Sequence, residues 1–340
     1  MRRALLIILL AGCGGGSASD LDDFLKQTTV ADAGFDAGVS SDSGTPDAGM
    51  PDAGAPDSGS PDAGPTRIGP ALYFLTLDAG AFAPTPDHPS ALVYVPANFD
   101  PTPPIDLVVW LHGFDNCIAN IIRDAGESCD PDAGTPVRNA YQLISQLEQS
   151  NKNALLLAPE LAFDQATGNP GKLGDPSGFF DLLDETLIDL RPALGQVNVA
   201  DIGTVVVASH SGGYDAAAGI ISVGGVPVRE VWLFDSLYGF TADFDAWVKS
   251  DLIGIASTHR RFGTVYTLNG GTLANSQDMA DRAAGWVDAG VIHDDRTTST
   301  WTLPEFEHGL LFKRSALAHD DVPRYYFLKF LQTSTLKDRQ

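Results

Sequence analysis

The feature that most constrains this chain is a series of short, almost wholly apolar runs separated by stretches with helical spacing. The runs are Leu107–Leu111, Ala154–Ala158, Thr204–Ala208, Glu230–Phe234 and Gly263–Leu268. A strand with no polar face must be covered on both sides, which a parallel sheet between two helical layers provides. Helical spacing falls at Val137–Gln149, Gly178–Leu194, Gly212–Ser222, Ala242–Asp251 and Ser276–Gly285. Two earlier runs, Leu72–Leu77 and Ala91–Val95, are joined only by turn residues such as Pro84, Pro86 and Asp87, and predict an antiparallel hairpin. Leu310–Leu317 reads as the last strand and Val322–Gln332 as a closing helix. No second linker interrupts residues 67–340, so one α/β domain with a mostly parallel sheet is expected.

The residues before it cannot join that core. From Ala31 to Thr66 a third of the 36 residues are Gly or Pro, and only Phe35, Val39 and Met50 are large and apolar. Such a segment buries too little surface to offset its ordering entropy. A five-residue unit repeats at Pro46-Asp47-Ala48-Gly49, Pro51-Asp52-Ala53-Gly54, Pro56-Asp57-Ser58-Gly59 and Pro61-Asp62-Ala63-Gly64. Proline in every unit blocks a continuous helix or strand, and one carboxylate per flexible unit is a poor calcium site. Residues 13–66 are therefore expected to be a disordered, self-repelling spacer.

Ahead of the spacer, Met1-Arg2-Arg3 is basic, Ala4 to Leu10 is apolar but too short to span a bilayer, and small residues lead to Cys13. The run Leu10-Ala11-Gly12-Cys13 resembles the lipobox of bacterial lipoproteins. The resemblance implies a signal peptide over residues 1–12, lipidation of Cys13 and an exported, membrane-anchored protein. Gly14, where inner-membrane lipoproteins carry Asp, points by the same resemblance to the outer membrane.

Charge narrows the partners. Of the formal −23, residues 14–66 hold −9 and Arg2 with Arg3 hold +2, which leaves −16 on residues 67–340. Nothing in that balance could replace counterions along a nucleic-acid backbone. An acidic domain also favours neutral or cationic substrates over anionic ones.

The chemistry concentrates at Ser211. The β-branched run Thr204–Ala208 leads directly into Ser209-His210-Ser211-Gly212-Gly213, and helical spacing resumes at Tyr214. Strand, small-x-Ser-x-small, helix is a nucleophile elbow: the tight turn lifts the hydroxyl above the sheet, and residues two positions away pass too close for large side chains. Upstream, Leu107–Leu111 ends in His112-Gly113-Phe114. This turn resembles the His-Gly turn of α/β-hydrolases, and with the elbow it makes residues 70–335 similar to that fold. The resemblance implies an oxyanion hole from the Phe114 and Gly212 N–H groups, shaped by His112 and Gly113. A turn histidine that merely caps the strand is the other reading of His112.

The same fold implies an acid and then a base after the nucleophile. Asp235 ends the run Val231–Phe234 and is the expected acid. Asp278 is the alternative, and Asp243 and Asp245 rank behind it. For the base, His319 lies between the last strand and the closing helix. His308 is the alternative but precedes the strand, and His293 lies before a Thr-rich stretch, where too little of the fold follows from it. Asp320, Asp321 and Pro323 predict a capped helix start just beyond His319.

Two cysteines remain once Cys13 is assigned to the anchor. Cys117 and Cys129 lie close together in an exported chain and predict a disulfide. Neither a phosphate-binding glycine loop nor a four-thiolate zinc pattern occurs, so no cofactor and no metal are expected. The expected function is cleavage of a carboxylic ester or amide by a Ser211–His319–Asp235 triad in a monomer. The alternatives are a non-catalytic surface binding lipoprotein on the same fold, and a metal-dependent hydrolase using His293-Asp294-Asp295 or His319-Asp320-Asp321. Phe163, Phe179, Tyr214, Leu237 and Tyr238 are candidates for an apolar pocket, under a loop over Phe163–Asp175.

Overall fold

The computed structural model describes residues 67–164, 169–268 and 270–340, together with the backbone of Leu6–Leu9. Cys13 and the spacer lie outside the described residues, as do the other residues of the expected signal. The strands are β1 (Leu6–Leu9), β2 (Ala71–Leu75), β3 (Ala91–Val95), β4 (Ile105–Leu111), β5 (Ala154–Pro159), β6 (Ile202–His210), β7 (Glu230–Phe234), β8 (Arg261–Thr267), β9 (Ile292–Asp295) and β10 (Leu310–Ser315). They form one sheet in the order β1-β2-β3-β5-β4-β6-β7-β8-β10-β9. Neighbours from β5 through β9 are parallel, and β1, β2 and β3 pair antiparallel at one edge. The expected hairpin is thus β2–β3, and the sheet has the α/β-hydrolase architecture expected from the sequence.

Period-two alternation explains the two cores. Along β4, Leu107, Val109 and Leu111 face one core while Val108 and Trp110 face the other. The first core is closed by α2 (Gly178–Asp189), α3 (Tyr214–Val223), α4 (Thr241–Lys249) and α5 (Leu273–Ala283). On the second face lie α1 (Leu143–Ser150) and α6 (Val322–Thr333), where Phe327 and Phe330 meet Trp232 edge-on or tilted. Residues 137–142 are not helical: they return from the disulfide loop and bond across to Ile121 and Arg123, so α1 starts at Leu143. The helix from Gly178 ends at Asp189, before the short turn Arg191–Leu194 that holds Pro192. Strand β9 went unread in the sequence because it is a half-exposed edge with polar residues.

The amino end of the sheet is pinned by charge. Glu230 and Arg261 start β7 and β8, are 0% and 2% exposed, and pair at 3.3 Å. Glu230 also accepts from Trp232 Nε1 (3.1 Å) and from the Thr335 backbone N–H and hydroxyl at 2.6 and 2.7 Å. Removing one partner of a buried pair strands the other charge, at about 3–5 kcal/mol. Glu230→Ala should therefore lower the urea midpoint by that equivalent; an unchanged midpoint would show that the pair contributes nothing.

Entry to and exit from the domain lie side by side at this end. Ile68 bridges to Phe99, Asp100 accepts from Arg67 at 3.1 Å, and the Asp100 N–H donates to Asn153 at 2.8 Å. The tail returns to the same place: Lys152 bridges to Asp338, and the Asn153 N–H donates to the Lys337 carbonyl at 2.7 Å.

Candidate active site

Ser211 follows β6 directly and has φ +51°, in the left-handed region that non-glycine residues rarely occupy. Such a conformation costs on the order of 1–3 kcal/mol and persists only where the surroundings enforce it. They do so here. A Cβ on Gly113 would lie 2.6 Å from Ser211 Cβ, and one on Gly213 would strike the Leu111 carbonyl. Ser236 locks the turn from the side, donating to the Ser211 carbonyl at 2.8 Å and bonding to Ser209 Oγ at 2.8 Å.

Asp235 ends the adjacent strand β7, also at positive φ (+47°), and is fully buried. Its Oδ2 lies 2.7 Å from His319 Nδ1. The remaining acceptor positions take Thr267 N–H (3.0 Å), Thr267 Oγ1 (2.6 Å) and the Thr272 hydroxyl. Burial alone would raise the Asp235 pKa, but the hydrogen bonds from His319, Thr267 and Thr272 outweigh it and hold the group below its ordinary range. His319 lies after β10 in a short helical turn, and its side chain is 28% exposed. The Tyr238 hydroxyl donates to the Gly270 carbonyl, and no hydrogen bond joins the Ser211 hydroxyl to His319 among the described residues. Such contacts commonly tighten only around substrate.

Other sequence candidates lie elsewhere. Asp278 is exposed on α5, Asp245 pairs with Arg282 at 2.7 Å, and Asp243 accepts from Ser222. His308 stands at the amino end of β10, its ring tilted against that of His293 with centroids 5.0 Å apart, on the far edge of the sheet from Ser211. Asp294 and Asp295 are held by Arg296 and Lys313. Asp321 holds the N-cap position of α6 with Pro323 in the first turn, as expected, but its carboxylate accepts from Asn139 at 3.0 Å instead of from the helix. Phe179 and Leu237 are core residues, whereas Tyr214 and Tyr238 are half-buried with rings 5.8 Å apart. Phe163 stacks on His88, and residues 165–168 of the expected loop lie outside the described residues.

His112 does more than end a strand. It is buried, its Nδ1 meets the Gly113 carbonyl at 2.9 Å, and its Nε2 accepts from the Leu161 N–H at 2.8 Å. That fixes the peptide preceding Phe114, whose N–H has no acceptor among the described residues. Glu160 Oε1 stands 2.8 Å from His112 Nε2, and Glu160 Oε2 lies 3.5 Å from His88. Glu160 was missed, although it follows β5 as Asp235 follows β7, and a strand-end carboxylate is the signal that could have found it. His210 was missed as well. It is buried between Tyr141 (Nδ1 to the hydroxyl, 2.7 Å) and the His319 carbonyl (Nε2, 3.2 Å), and burial holds its pKa well below the ordinary value. As a neutral ring it accepts from Tyr141 and donates to the base loop. His210, His319 and Asp320 are the only described residues that bring three possible metal-ligating atoms within 4.8 Å, but both His210 nitrogens are already engaged.

The disulfide loop braces the site. Cys117 and Cys129 are bonded, S–S 2.00 Å. The chain returning from this loop carries Arg138, which pairs with Asp115 at 2.9 Å, approaches Asp320 at 3.8 Å and lies over the Phe114 ring.

No protein-family model and no curated protein matches the chain. Among solved structures it is similar to a feruloyl esterase module of Clostridium thermocellum, at 11% identity and TM-score 0.42, over 79% of this chain and 94% of that one. It is also similar to an esterase of Pyrococcus furiosus, at 11% and 0.36, over 71% and 82%. Ferric enterobactin esterase of Salmonella typhimurium gives 12% and 0.39, over 71% and 53%. Likeness at this level leaves the chemistry to the residues themselves.

Proposed function

We propose that the protein is a serine hydrolase that cleaves a carboxylic ester or amide through an acyl-enzyme. The observation that carries this is the 2.7 Å bond from His319 to the buried Asp235, at the same sheet edge as a serine held at positive φ. Ser211 Oγ attacks the carbonyl carbon while His319 Nε2 takes its proton. Charge developing on the carbonyl oxygen is met by the Phe114 and Gly212 N–H groups. Collapse expels the leaving group, which takes the proton from His319, and water then repeats the sequence on the acyl-serine. We place this domain on an exported chain anchored through Cys13, a reading supported by the order of basic, apolar and small residues before that cysteine and by the disulfide.

A fluorophosphonate probe tests the hydrolase reading. It should label the wild type and fail completely to label Ser211→Ala. A folded, unlabelled wild type would reject the enzyme and favour a binding lipoprotein.

A further inference from the structure

We propose that Arg138 is a positioning residue whose single guanidinium clamps the oxyanion turn to the base turn. This rests on the hydrolase reading above. The two turns must act on one carbonyl, yet they leave different strands. Between β4, which ends before His112, and β10, which precedes His319, the sheet inserts β6, β7 and β8. Four strand spacings amount to about 19 Å, so the sheet alone relates the turns only through a long series of contacts. Arg138 joins them directly. Its Nη2 lies 2.9 Å from Asp115, the residue after Phe114, and its Nη1 lies 3.8 Å from Asp320, the residue after His319.

The Asp115 end is the tighter one. Asp115 is 5% exposed and held at φ +54°, and Arg138 is the only hydrogen-bond partner of its carboxylate among the described residues. A buried charge with one partner holds that partner in place. The Asp320 end is half-buried and longer, but two residues close to Arg138 in the chain reinforce it. Asn139 donates to Asp321 at 3.0 Å, and the Tyr141 hydroxyl donates to His210, whose Nε2 donates to the His319 carbonyl. The guanidinium can serve as a strut because its backbone is fixed from behind. The Arg138 N–H donates to the Glu127 carbonyl at 3.3 Å, and its carbonyl accepts from Asn120 Nδ2 at 3.2 Å, both within the loop closed by the disulfide. Without the cation, Asp115 and Asp320 would meet as like charges and push the turns apart.

Amide hydrogen exchange and kinetics on the full chain separate the clamp from the chemistry. In Arg138→Gln, exchange should rise severalfold in two peptides at once, those carrying residues 112–117 and 317–322. For a 4-nitrophenyl ester, kcat should fall about 10- to 100-fold while KM changes less than about twofold, because misplacement is felt in the transition state. Arg138→Lys, a point charge that reaches one carboxylate at a time, should recover part of both effects. Asp320→Asn cuts the link from its open end with Asp115 still paired, so it reports even if Arg138→Gln does not fold. It should loosen both turns to a smaller degree, and added to Arg138→Gln it should cost little more than Arg138→Gln alone. Arg123→Gln is the control: it breaks the ion pair with Glu127 in the same loop, away from both turns. Exchange that rises at one turn only, or at neither, overturns the clamp even if Ser211 labels. So does a loss of kcat that Arg123→Gln matches, since it would belong to the loop as a whole. Exchange that rises at both turns in a protein whose Ser211 does not label keeps the clamp and removes the hydrolase reading.

Discussion

Asp235→Asn is expected to lower kcat for a 4-nitrophenyl ester by about 10⁴-fold, the scale at which a triad acid acts through the tautomer of its histidine. The local hydrogen bonds specify why. Thr267 N–H, Thr267 Oγ1 and Thr272 Oγ1 all donate toward the Asp235 carboxylate. An asparagine must turn its carbonyl oxygen to those donors, which aims its NH₂ at His319 Nδ1. Nδ1 then becomes an acceptor, the proton sits on Nε2, and the ring cannot take a proton from Ser211. Thermal unfolding should move modestly, because the amide cannot accept from all three threonine donors. Asp278→Asn, at an exposed helical position, should change kcat less than about twofold. A larger loss at Asp278 than at Asp235 would reverse the assignment of the acid.

His319→Ala should cost about 10³-fold or more in kcat at nearly unchanged stability. The side chain is 28% exposed on a surface turn, so its removal opens no closed cavity, and its carbonyl still accepts from His210. His308→Ala is the control. Among the described residues its side chain bonds only through Nδ1 to the Glu305 carbonyl at 3.3 Å, and it sits at the amino end of β10. Steady-state kinetics on the two variants should differ by orders of magnitude; the opposite ranking would move the base to the other edge of the sheet.

What could be read from the sequence divides along physical lines. Strands β4 to β8 were legible because each is buried on both faces and so nearly free of polar residues. Ser211 and Asp235 were legible because both follow such strands immediately, and geometry at a strand end depends on few residues. The groups that hold them were not. Thr267 and Thr272 lie 32 and 37 residues beyond Asp235, and Tyr141 lies 69 before His210. No local pattern encodes contacts at that separation. Strand β9 failed for the opposite reason: an edge strand whose acids are consumed by Arg296 and Lys313 has the composition of a loop.

The juxtaposed entry and exit at the amino end of the sheet would set how a tethered domain stands on its support. Ser211 lies at the other end, and β4 alone, with seven residues at about 3.3 Å each, separates the two by about 23 Å. If Cys13 is the anchor, as proposed, the leash attaches at the base and the catalytic mouth faces away from the lipid. If the 53 residues after Cys13 form the flexible spacer that their composition predicts, they add a root-mean-square reach of about 40 Å. The domain would then work at stand-off, sweeping a shell outside the headgroups and facing whatever diffuses in from the medium.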